Sequence, residues 1–94
     1  MFTKEDIRYL KDLYRKIFGK SANNSKEFAN FVEGNPNSLR IKVEEEIIEV
    51  NEAIMCFIHF SEEGNYEIHK LIAKRDLLKE LDLFITNYIE NHYV

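Results

Sequence analysis

Residues 34–38 read Gly-Asn-Pro-Asn-Ser, gathering a glycine, the chain's single proline and two asparagines into five positions. No stronger break occurs in the sequence, so regular structure on either side must end or begin there.

Upstream of the break the pattern is helical. Thr3 can cap a helix over KEDIRYLKDLYRKIF, with Glu5 and Asp6 in the first turn, where the helix dipole favours acid. At 100° per residue Ile7, Leu10, Leu13, Tyr14, Ile17 and Phe18 fall in one broad arc, and Gly19 ends the helix. Ser25 can cap a shorter helix, KEFANFVE, with Phe28, Phe31 and Val32 on one side.

Downstream, residues 39–72 fit two readings. As strands, Leu39, Ile41 and Val43 alternate with Arg40 and Lys42, Ile48 and Val50 alternate with Glu49, and AIMCFIHF is an unbroken β-prone run. As a helix, Val43, Ile47, Val50, Ile54 and Phe57 recur at spacings of four and three. Gly64 within SEEGN suits the left-handed position of a three-residue hairpin loop, and β-branched or aromatic residues flank it on both sides. The expectation is a three-stranded antiparallel meander. In that register Phe60 faces Tyr66, Ile58 faces Ile68, His59 faces Glu67 and Phe57 faces His69. A central strand apolar on both faces needs cover on both.

The last segment, KRDLLKELDLFITNYIENHYV, reads as a long helix with Leu77, Leu78, Leu81, Phe84, Ile85, Tyr88 and Ile89 on one arc. Leu83 projects about opposite, among Asp76, Glu80, Asn87 and Glu90. The expected fold is one compact α+β domain over residues 1–94: helix, short helix, meander, long helix. An all-α bundle is the alternative. Ninety-four residues give room for one core, and 45% apolar with 13% aromatic residues argues against disorder.

No apolar run approaches a membrane span, and MFTKEDIRYLKD carries charges where a signal peptide would be apolar, so a cytoplasmic protein is expected. The lone Cys56 between Met55 and Phe57 reads as a small buried hydrophobe. The net charge of −4 is unevenly spread. Residues 1–42 hold nine Lys/Arg and five Asp/Glu, and residues 43–94 hold four and twelve.

Four constellations merit chemistry. Glu44, Glu45, Glu46, Glu49 and Glu52 crowd nine positions with no base among them. On a strand edge such carboxylates repel strand addition, and on a functional surface they dock on a basic partner. Leu83 with Asp76, Glu80 and Asn87 has the form of a small interface, an apolar anchor with a polar rim. Lys4, Arg8, Lys11 and Arg15 lie within about 60° on the first helix and could track phosphates, although Glu5 and Asp12 suit intrahelical pairing. His59 and His69 near Glu67 could hold a metal, but no spacing matches a zinc motif and further ligands are missing.

The expectation is therefore a non-enzymatic protein without cofactor or metal. It reads as a small protein-binding regulator, inhibitor or immunity-type factor, acting through an acidic surface on another protein with a basic surface. The alternatives are a nucleic-acid-binding accessory protein using the first helix, and a homodimeric structural module.

Overall fold

The computed structural model describes residues 2–23, 25–33, 35–60 and 65–93. Among them are four helices and no strand: α1 (Lys4–Phe18), α2 (Lys26–Val32), α3 (Pro36–Phe60) and α4 (Asn65–Tyr93). The fold is all-helical, and the α+β expectation with its three-stranded meander is overturned.

The physical reason lies between Val43 and Ile48. A meander requires the chain to reverse there, and the residues available are Glu44, Glu45, Glu46 and Ile47. Glutamate is a good helix former and a poor turn residue. From Pro36 to Phe60 no glycine or further proline interrupts the run, so the helix continues for 25 residues. The Gly-Asn-Pro-Asn-Ser break is a helix start: Pro36 takes the first helical position, and the Asn35 side chain accepts from the Ser38 N–H at 3.0 Å. The residues read as facing pairs of a hairpin, Ile58 and Ile68 or Phe57 and His69, belong to two different helices.

The upstream helices form as their sequences indicate. Thr3 and Asp6 make a reciprocal capping box, and Gly19 closes α1 at φ 68°, where its N–H donates to the Arg15 carbonyl. Ser25 caps α2 through the Phe28 N–H.

The two long helices are joined by four residues and pack along each other as an antiparallel pair. Ring contacts give the direction of α1. Phe2 meets Tyr88 at 4.6 Å, Tyr9 meets Phe84 at 4.8 Å, and the Lys74 ammonium lies over the Phe18 ring. Rising along α1 thus descends α4, so α1 runs antiparallel to α4 and parallel to α3. α2 closes one end through an aromatic cluster of Tyr14, Phe18, Phe28 and Phe31. Lys42 of α3 secures it by donating to the Asn30 carbonyl at 2.7 Å, which also accepts from the Glu33 N–H, and to the Phe31 carbonyl at 3.3 Å, both at the end of α2.

One core results. It takes Leu10, Leu13, Tyr14 and Ile17 from α1, Ala22 and Phe28 around α2, Leu39, Val43, Val50 and Ile54 from α3, and Leu78, Leu81 and Ile85 from α4. Among the described residues no helix is long and apolar enough to cross a membrane.

Candidate functional site

On α3 the core residues Leu39, Val43, Val50 and Ile54 occupy one side, with Ile47 and Phe57 half-buried at its margins. Roughly opposite stands a second apolar row. Ile41 and Ile48 are each 57% exposed, Met55 53% and Ile58 58%. The first three are seven residues apart, so each lies about 20° from the last on the helix surface, and Ile58, three residues beyond Met55, turns about a further 60° toward the margin of the core face. Four side chains with more than half their surface in water present on the order of 400 Å², comparable to the largest apolar patch of a typical monomer.

The acidic run edges this row. Glu45 and Glu52 sit four residues beyond Ile41 and Ile48, so they form a parallel row with the same seven-residue spacing. Glu49 lies further round the same side. All three are exposed and form no ion pair among the described residues. Glu44, on the other side of the strip, pairs with Arg40 at 3.4 Å. Glu46 is half-buried and turned toward α2, lining a cavity of about 420 Å³ with Tyr14, Phe31 and Lys42. The helix therefore divides the five glutamates. A strand-edge role is removed with the strand.

Cys56, expected to be buried, is exposed on α3 next to Met55. Its helical position lies outside the core arc that takes in Ile54 and Phe57.

On α4 Leu83 is 61% exposed and shares its face with Asp76, Glu80 and Asn87, all exposed, as the helical pattern indicates. Glu80 is not free for a partner: it accepts a 2.8 Å hydrogen bond from the Tyr9 hydroxyl of α1. Among the described residues no hydrogen bond or ion pair joins this face to the acidic row of α3. The two parts of the expected docking surface are thus carried by different helices.

The basic row of α1 is divided. Lys4, Arg8 and Lys11 make no ion pair or hydrogen bond among the described residues, and they line adjoining clefts of about 420 and 240 Å³ against Asn23 and the 21–23 loop. Arg15 is diverted to Asp12 at 3.1 Å, and Lys16 reaches the same carboxylate at 3.1 Å. Those hydrogen bonds, from Lys16 first and then Arg15, hold the Asp12 carboxyl below its ordinary value.

The histidine pair cannot be placed as a pair: the side chain of His59 lies outside the described residues, and His69 is exposed on α4. Among the described residues no three His, Cys, Asp or Glu side chains converge.

Reasoning from sequence missed Ile41, Ile48, Met55 and Ile58 as surface residues. Their signal was the seven-residue spacing of the first three, visible only once the segment is wound as a helix. Comparison with family models, with curated proteins and with solved structures finds no match for this chain.

Proposed function

We propose that the protein is a non-catalytic binding module, a small regulator, inhibitor or immunity-type factor, that docks the outer face of α3 on a basic surface of another protein. The observation that carries this reading is the coincidence on one helix of an exposed apolar row and a row of carboxylates that form no ion pair among the described residues. Apolar area supplies affinity, and the carboxylates steer encounter and reject acidic surfaces. Either feature alone is common on protein surfaces. Their parallel seven-residue spacing is what a binding face needs.

The test is capture of partners by the tagged protein from its native lysate, at low and high salt, with Ile48→Asp and with Glu45→Lys plus Glu52→Lys alongside the parent. A protein held by the parent, weakened by salt and lost in both variants while their circular dichroism is unchanged, is the expected result. Equal retention by all three proteins refutes the assignment.

A second reading draws on the clefts beside Lys4, Arg8 and Lys11, whose cations form no ion pair among the described residues and suit a phosphate backbone. Nucleic acid recovered by the parent and lost in Lys4→Glu plus Arg8→Glu would favour it over the first.

A further inference from the structure

The apolar row on α3 is narrow. On the helix surface Ile41, Ile48 and Met55 are bordered by Glu45 and Glu52 on one side and by Glu44 and Asn51 on the other. A strip this narrow makes little apolar contact with a flat surface. It matches another rod. From Ile41 to Ile58 it extends about 26 Å at 1.5 Å per residue, close to five helical turns.

In heptad terms Ile41, Ile48 and Met55 stand at one seam position, and Glu44, Asn51 and Ile58 at the other. Four of these six are apolar. A central asparagine is the kind of residue that fixes register in a helix pair, at some cost in stability.

A second copy of this chain is the wrong occupant. An antiparallel self-pair brings Glu45 beside the second copy's Glu52, twice by symmetry. A parallel self-pair sets Glu44 against Glu44 inside the seam. Like charges so placed are unfavourable. The bases nearest the strip are already engaged, Arg40 by Glu44 and Lys42 by the end of α2.

Resting on the reading of this face as the protein's binding surface, we infer that its partner presents a basic amphipathic helix. That helix lies along α3 from Ile41 to Ile58, with an apolar row at heptad spacing and Lys or Arg aligned with Glu45 and Glu52. This is recognition of one helix by another, with the apolar seam giving affinity and the charge rows giving orientation.

Cys56 supplies the probe, since it is the chain's one cysteine and is exposed beside Met55. The protein, labelled there with an environment-sensitive dye, is titrated with three synthetic helical peptides of about 21 residues. The first has leucine at the seam positions and lysine on the flank. The second has glutamate in place of that lysine. The third has the composition of the first in shuffled order.

The first peptide should bind, weaken as salt is raised, and lose at least about tenfold in affinity to Ile48→Asp. The other two should bind at least about tenfold more weakly than the first. Shuffled and ordered peptides binding alike would overturn the inference, because charge alone would then account for it. A dimer in analytical ultracentrifugation that Ile48→Asp dissociates would overturn it in favour of a second copy. If no peptide binds while lysate capture still depends on Ile48 and Glu45, the helical partner is wrong and the binding function stands. If neither experiment depends on Ile48, both fall.

Discussion

Helices α1 and α3 both pack against α4 and use their residues in opposite ways. α1 is apolar on one side: Leu10, Leu13, Tyr14 and Ile17 are buried, and Lys4, Arg8, Lys11 and Arg15 take the water. α3 is apolar on two sides, with Leu39, Val43, Val50 and Ile54 inward and Ile41, Ile48, Met55 and Ile58 outward. Folding requires only the first kind of face. Among the described residues nothing covers the second, which is the face proposed above to receive a partner.

The sharpest way to break that comparison is to put the same charge on the two sides of α3. Val43 is fully buried, and Val43→Asp places a carboxylate in the core without a partner. It should cost at least about 4 kcal/mol and leave the chain largely unfolded at ordinary temperature. Ile41→Asp, two residues away, should change stability by less than about 0.5 kcal/mol. Urea denaturation followed by circular dichroism reads both. Similar losses in the two variants would mean that the outer row is structural.

The same contrast explains what could be read from the sequence. α1 was legible from Thr3 to Gly19 because one arc and two end signals agree. In α3 two apolar periodicities overlap, and Leu39, Ile41 and Val43 then alternate with Arg40 and Lys42 as a strand would. In the helix Leu39 and Val43 belong to the core face and Ile41 to the other. Turn chemistry was the better guide, since the glutamates between Val43 and Ile48 are poor turn residues, whereas Gly64, which lies outside the described residues, drew attention to a hairpin. The acidic face was legible as a count of glutamates and not as a geometry. Only the helix separates Glu46, turned toward α2, from Glu45 and Glu52 beside the apolar row.

A milder change sharpens the comparison by making α3 resemble α1. Replacing Ile41, Ile48, Met55 and Ile58 together by Gln leaves the core face untouched and substitutes a good helix former. Helical content by far-ultraviolet circular dichroism should be preserved, with the thermal midpoint moving by no more than about 4 °C. Collapse of α3 would show that the outer row stabilises the helix itself. On the α1 side, Thr3→Ala removes one half of the capping box and should cost about 1 kcal/mol.

The smallest effect concerns the tie between α1 and α4. Burial first, and then the hydrogen bond to Glu80, raise the Tyr9 hydroxyl above its ordinary value of 10.0. A phenol held more firmly protonated in the folded chain than in the unfolded one stabilises the fold fully below that ordinary value. The contribution is lost as the pH rises through the folded one. The stability difference between the parent and Tyr9→Phe should therefore be constant through neutral pH and shrink in strongly alkaline solution. Because Tyr9 lies at the surface, the neutral difference should be at most about 1 kcal/mol. No alkaline shrinkage would mean that Tyr9 and Glu80 do not hold each other in solution. Glu80 would then rejoin Asp76, Leu83 and Asn87 as an exposed carboxylate, and α4 would carry a second acid-rimmed apolar anchor beside the one on α3.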